Sequence, residues 1–226
     1  MSDIPDLSNY YLIHEAMRTG SARLAAAIAD LDPADRHRAR LLAWMCKGVA
    51  AELHAHHTIE DDLFFPALAE RVPSFLDIEA ALAEQHVRLD VVTGVLRAAI
   101  DDVSRGRAVD TNLEIARDRS AELAELLFDH LGTEDDDVLP LFARHFSAEE
   151  YHELDRQAIK RTGIRKMLFT VPWAVTTVDP ADAQRLLAEG PGVIRAIWRL
   201  TRRSYAERAS IALDRFVPAL VPAVAR

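Results

Sequence analysis

The pattern His-x-x-x-Glu-Asp-Asp-x-x-x-Pro occurs twice in this chain, starting at His56 and again at His130. On a helix, a histidine and a glutamate at positions i and i+4 project in the same direction from adjacent turns. An imidazole and a carboxylate placed in this way can bind one metal ion, as helical His and Glu ligands do in other bundles. Two copies therefore predict a fold that brings two such helices together at these pairs.

Apolar residues at helical spacing predict four long helices in the first part of the chain, over residues 8–31, 33–71, 75–104 and 110–145. Ser8 is expected to cap the first helix, and Asp32 the second, with Pro33 as its first residue. Pro66 and Pro140 are expected to bend the helices that contain them. Four helices with short links indicate an all-α, up-down-up-down four-helix bundle.

The sequence changes character after Phe146. Ser147 and Glu150 form a capping-box pattern, so another helix is expected to begin there and to end at Gly163. Further helices are expected from Asp179 and over residues 193–213. We expect residues 1–146 to form the bundle and residues 147–226 a helical extension. The extension carries too many apolar residues for a disordered tail, so it should pack on the bundle.

Composition excludes several classes of function. The net charge is −9, and acidic residues outnumber basic ones before residue 146, which argues against nucleic-acid binding. No uncharged apolar run is long enough to span a membrane. Cys46 is the only cysteine, and the first residues lack the pattern of a secretory signal, so we expect a cytoplasmic protein.

Each predicted bundle helix carries one histidine on its apolar stripe, and two of them also carry a glutamate. In an up-down bundle all of these residues fall near the same end and can meet. They exceed the needs of one ordinary ion and suit two ions bridged by carboxylates, roughly 3.5–4 Å apart. The predicted metal ligands are His14, His56, Glu60, His86, His130 and Glu134.

A lone histidine on an apolar stripe is more often a hydrogen-bonded core residue than a ligand, but a buried glutamate needs a cation or several donors. His54 and His57 project about 200° and 100° away from His56 around the helix and are therefore expected to point elsewhere. His57 paired with Asp61 stays open as an alternative.

Three further ligands also remain possible. Asp135 could replace Glu134, although Glu134 repeats the first motif. Tyr10 and Tyr11 lie one turn before His14, as core residues or as phenols beside the metals.

These residues make the chain resemble the hemerythrin-like family, also called the HHE cation-binding domain, over roughly residues 8–145. The resemblance rests on His14, His56-His57-x-x-Glu60-Asp61, Leu63-Phe64-Phe65-Pro66, His86 and His130-x-x-x-Glu134. It implies a four-helix bundle with a non-haem di-iron centre that carries an oxo or hydroxo bridge. By position, His14 and His56 would bind one iron, His86 and His130 the other, and both glutamates would bridge.

The chain departs from the oxygen-carrying members of that family. They have a further histidine one turn before the residue matched by His86, where this chain has Leu82, and their fourth helix uses His-x-x-x-x-Asp. We therefore expect the iron bound by His86 and His130 to keep an open position, unless Asp90 or Tyr10 fills it. The chain therefore resembles the broader hemerythrin-like group and not its oxygen-carrying members.

Two functions follow as hypotheses. The first is a di-iron protein that reacts with oxygen or peroxide, either as a peroxide-removing enzyme or in other oxidative chemistry. The second is a binding module that senses iron, oxygen or nitric oxide, with a protein partner at the basic C-terminal region. Zinc in place of iron is a further possibility, because zinc accepts the same ligands.

Overall fold

The structure, a computed structural model, describes residues 4–214, and every regular element in this range is helical. None of these helices combines the length and the apolar character that crossing a membrane requires. Residues 1–3 of the predicted bundle and 215–226 of the predicted extension lie outside the described range. The α-helices are α1 (Ser8–Ala29), α2 (Arg36–Ile59), α3 (Phe65–Ala69), α4 (Leu76–Arg105), α5 (Val109–Thr133), α6 (Leu139–His145), α7 (Ala148–Thr162), α8 (Ile164–Thr177), α9 (Pro180–Glu189) and α10 (Gly192–Leu213).

Helices α1, α2, α4 and α5 form the predicted four-helix bundle, in which each helix packs against two of the others. Short connections make successive helices antiparallel, so the beginnings of α1 and α4 meet the ends of α2 and α5. Helix α2 begins later than predicted. Asp32 and Pro33 form a turn, and Asp35 caps the helix by accepting a hydrogen bond of 2.9 Å from the Arg38 backbone N–H. Ser8 does not cap α1, because it bonds to Asp6 instead.

A π-helical turn interrupts each of the two helices that carry the duplicated motif. The turns span Glu60–Phe64 and Glu134–Val138, so each begins at the glutamate of a His/Glu pair. Each glutamate carbonyl accepts from the N–H five residues later, directly before Pro66 or Pro140. A proline has no N–H to donate and its ring crowds the preceding turn, so a wider turn accommodates it. The two predicted long helices are therefore divided, and the motif gives the same local structure twice.

The extension packs on one side of the bundle. Two glycines permit this close approach: Gly20 of α1 faces the ring of Trp173, and Gly48 of α2 faces the ring of Phe169. A Cβ atom at these positions would lie 2.6 Å and 2.2 Å from the respective rings. Apolar side chains of α8 and α10 share one buried core with the bundle helices. The capping box at Ser147 and the helix start at Asp179 are confirmed.

We predict that Gly48→Ala destabilises the protein by about 1–3 kcal/mol, the usual cost of overpacking a core. The Phe169 ring cannot easily move aside, since it already packs against Trp44 and Tyr205. The matched control is Gly94→Ala, where no atom lies within 4 Å of the added methyl group. It should be neutral or stabilising by up to about 1 kcal/mol, because alanine favours a helix over glycine. Urea unfolding measures both, and equal stability of the two variants would contradict this packing.

Candidate metal centre

The bundle buries its inward histidines and glutamates at one end, where the starts of α1 and α4 meet the ends of α2 and α5. His14 comes from α1, His56 from α2, His86 from α4 and His130 from α5, while Glu60 and Glu134 open the two π-helical turns. Their side chains are less than a tenth exposed. All six predicted ligands are therefore brought together in the core.

The ligand atoms divide into two groups, and within each group they lie within 4.8 Å of one another. The first group consists of His14, His56, Glu60 and Glu134. The second consists of His57, Glu60, His86 and His130. Each group has the size and composition of a site for one metal ion.

Both glutamates face both groups. Oε1 of Glu60 lies 2.9 Å from Nε2 of His56, and its Oε2 lies 3.6 Å from Nε2 of His86. Oε2 of Glu134 lies 3.3 Å from Nε2 of His14, and its Oε1 lies 3.4 Å from Nε2 of His130. Each carboxylate thus offers one oxygen to each side, which is the arrangement that a bridging ligand needs.

His57 corrects one expectation from the sequence. It does not point away from the site but is 3 % exposed and stacks on His86, with 3.9 Å between ring centroids. Its ring centroid lies 5.2 Å from that of His130. His57 thus supplies a third imidazole to the second group, the place where Leu82 had indicated an open position. Leu82 itself is a buried core residue.

The centre contains several buried polar atoms that have no hydrogen-bond partner within residues 4–214. Leaving such atoms unpaired costs on the order of 1–3 kcal/mol each, so a native core rarely gathers them in one place. Cations among them would satisfy all but one of these atoms, because each imidazole can bind a metal through only one nitrogen, and imidazole nitrogens with carboxylate oxygens suit iron or zinc. The atoms are both ring nitrogens of His57, Nε2 of His86 and of His130, Oε2 of Glu60 and both carboxylate oxygens of Glu134.

The surroundings shift the pKa values of these groups in opposite directions. Burial works to lower the pKa of His56, but the carboxylates of Glu60 and Glu134 outweigh it and raise that pKa to about 10. Burial lowers the pKa of His130 to about 4, and burial with the neighbouring imidazoles lowers that of His57 far below its usual range. His57 and His130 are therefore neutral at pH 7, the form in which histidine binds metals.

Three of the histidines are oriented by acceptors on their other nitrogen. Nδ1 of His14 donates to Asp135 at 2.7 Å, and Nδ1 of His86 donates to Asp61 at 3.1 Å. Nδ1 of His130 donates to Oε1 of Gln85 at 2.8 Å. These bonds leave each Nε2 free to face the centre, as in other metal sites.

The duplicated motif supplies two of those acceptors, Asp61 and Asp135, each of which directly follows a glutamate. Each aspartate reaches a histidine on a different helix, so it ties two bundle helices together. Asp135 is itself held by Arg18, with 2.5 Å between Nη2 and Oδ2. The structure therefore places both aspartates behind the ligands and gives neither the role of replacing a ligand.

Tyr10 also belongs to the centre. Its hydroxyl donates a hydrogen bond to Oε1 of Glu60, and burial together with that carboxylate raises the pKa of the phenol well above its usual value. It is therefore a neutral donor at pH 7. Four other residues are exposed and lie outside the centre: Tyr11, His37, His54 and Asp90. His54 and Asp90 lie 3.8 Å apart.

A family model supplies the deciding comparison. The model described as "Hemerythrin HHE cation binding domain" matches residues 7–142. The chain belongs to the hemerythrin HHE cation-binding family. The match covers the whole bundle with every residue of the centre and ends before α7, so it does not include the extension. Curated proteins and solved structures give no match to this chain.

We predict that His57→Ala removes about half of the bound metal, because the second group loses one of its three imidazoles. Loss of a protein ligand commonly weakens a metal site by orders of magnitude in affinity. His54→Ala is the matched control, since His54 lies on the same helix but its side chain is 70 % exposed. Elemental analysis of both purified variants is the measurement. Full metal content in His57→Ala would show that this imidazole is not a ligand.

Proposed function

We propose that this hemerythrin-like protein holds two iron ions and uses them to react with oxygen or peroxide. The observation that carries the proposal is the pair of adjoining ligand groups that share Glu60, with Glu134 of the first group also 3.4 Å from His130 of the second. When bound, such ions would supply the redox chemistry, passing electrons from one peroxide molecule to another to give dioxygen and water, or from an external reductant to dioxygen. His14 and His56 would hold one ion, His57, His86 and His130 the other, and Glu60 and Glu134 would lie between them.

The two groups differ in their number of imidazoles. The first has two and the second has three, so protein side chains leave more room for a small molecule at the first. Leu82 consequently gives no argument against oxygen carriage, because His57 fills the place that Leu82 leaves. What favours turnover is the opening beside the first group, where a cavity reaches His56, Glu60 and Tyr10.

Tyr10 has a defined part in this proposal. It is a neutral hydroxyl beside the first group, and its hydrogen bond keeps the Glu60 carboxylate in place. Because its pKa is raised, it would stay protonated and act as a positioning donor to Glu60. The apolar rings around it, Phe64 among them, keep bulk water away from the centre.

We predict that the iron-loaded protein removes hydrogen peroxide over many turnovers and that Tyr10→Phe lowers the rate at least about tenfold, because Glu60 loses a hydrogen bond of the kind that contributes roughly 1.5–3 kcal/mol to a charged group. Metal content should stay unchanged, because the ring that packs on His14 is retained. An oxygen electrode with peroxide absorbance gives the rate, and the zinc-loaded chain is the inactive control.

A second function, reversible binding or sensing of oxygen or nitric oxide, has its own signature in the same experiment. It predicts a stable, reversible change of the iron absorption spectrum on adding the gas and no net consumption of peroxide. That result would overturn the proposal of turnover and leave the proposal of a di-iron centre standing.

A further inference from the structure

A cavity of about 220 Å³ lies between the bundle and the extension. More than half of the residues around it belong to α7, α8, α9, the start of α10 and the link between α9 and α10, all of which lie beyond the part of the chain that the family model matches. Most of its wall is apolar, with the side chains of Leu12, Ile13, Ile159, Met167, Val171 and Ile194 among the lining. The extension thus completes a partly open, mostly apolar cavity beside the bundle.

One end of this cavity is the candidate metal centre. Tyr10, His56 and Glu60 lie in its wall, and all three belong to the first ligand group or contact it. A molecule in the cavity would therefore lie against the group with fewer imidazoles. The second ligand group is less accessible from the cavity, since none of its three histidines lines it.

The charged groups near the cavity are already paired. Glu52 is 6 % exposed, its carboxylate accepts a hydrogen bond from the Thr170 hydroxyl, and Nζ of Lys166 lies 3.9 Å from its Oε2. Glu60 and Asp155 are the other acidic residues of the wall. The imidazole of His56 is paired with Glu60, 2.9 Å away, and none of the described Lys or Arg side chains lines the cavity. Three carboxylates in the wall repel an anion, so a negatively charged ligand would be poorly accommodated.

We propose that this cavity binds an uncharged, mostly apolar organic molecule and holds it against the first ligand group of the metal centre. Apolar cavities of about 150 Å³ take up benzene, so this one fits a molecule of that size or somewhat larger. The binding itself does not depend on iron. Only its consequence, that the bound molecule is the organic substrate of the centre, rests on the function proposed above.

The test uses three probes with one carbon skeleton: cyclohexanol, cyclohexanecarboxylate and cyclohexylammonium. Isothermal titration calorimetry on the zinc-loaded full chain should show one cyclohexanol per chain, bound at least about tenfold more tightly than either ion, a difference of about 1.4 kcal/mol. Tighter binding of the carboxylate would overturn the proposal.

The obstructing variant is Ala158→Phe, which adds a ring to the cavity wall on α7. It should weaken cyclohexanol binding at least about tenfold while the metal content stays unchanged. The matched control is Ala188→Phe, at an exposed position of α9 that does not line the cavity, and it should bind cyclohexanol as the unmodified chain does. If Ala158→Phe does not fold, Ile159→Trp obstructs the same wall. Undiminished binding by a folded obstructed variant would refute the site.

A separate measurement, the visible absorption spectrum, tests whether the bound molecule contacts the metal centre. Cyclohexanol should change the visible absorption of the iron-loaded chain and should leave that of Ala158→Phe unchanged. Binding without any spectral change would overturn the claim that the molecule lies against the centre. Failure of peroxide turnover with intact cyclohexanol binding would instead count only against the function proposed above, so the two failures are distinguishable.

Discussion

The fold depends on one unusual feature, a set of imidazole nitrogens and carboxylate oxygens that are buried together without enough hydrogen-bond donors to satisfy them. Such groups destabilise a core unless a cation joins them. Glu134 is 0 % exposed, and neither of its carboxylate oxygens has a hydrogen-bond partner within the described residues. The bundle therefore places its candidate ligands as a preformed set, and the free energy of binding a metal there would become part of its folding free energy.

The aspartates that hydrogen-bond to the candidate ligands from behind explain why the motif is longer than its His/Glu pair. Asp61 and Asp135 follow the two glutamates and accept hydrogen bonds from His86 and His14, each on another helix. The prolines that end the motif coincide with π-helical turns that begin at the glutamates. Each motif thus supplies a ligand pair, a brace for a ligand on another helix, and a local widening of its own helix.

Sequence periodicity predicted the bundle, the two His/Glu pairs and the end at which four histidines meet, because each property follows from spacing along a helix. It failed for His57, since adjacent residues project 100° apart and only one was expected to face the interior. Two adjoining candidate ligand groups remove that restriction, because His56 and His57 belong to different groups. The feature of the sequence that could have pointed to His57 is Leu82, which stands where the oxygen-carrying members have a histidine. The imidazole of His57, on the neighbouring helix α2, lies in that ligand group instead.

The cavity beside the centre could not be predicted, because no spacing rule links the extension to the bundle. Its position depends on contacts such as Trp173 on Gly20, which join residues far apart in the chain. The central claim is that two ions share Glu60 and Glu134. An anomalous-diffraction crystal structure of the iron-loaded chain tests it most directly. The account predicts two iron peaks per chain, with His57 bound to the ion that His86 and His130 also bind. A single peak, or His57 unbound, would contradict it.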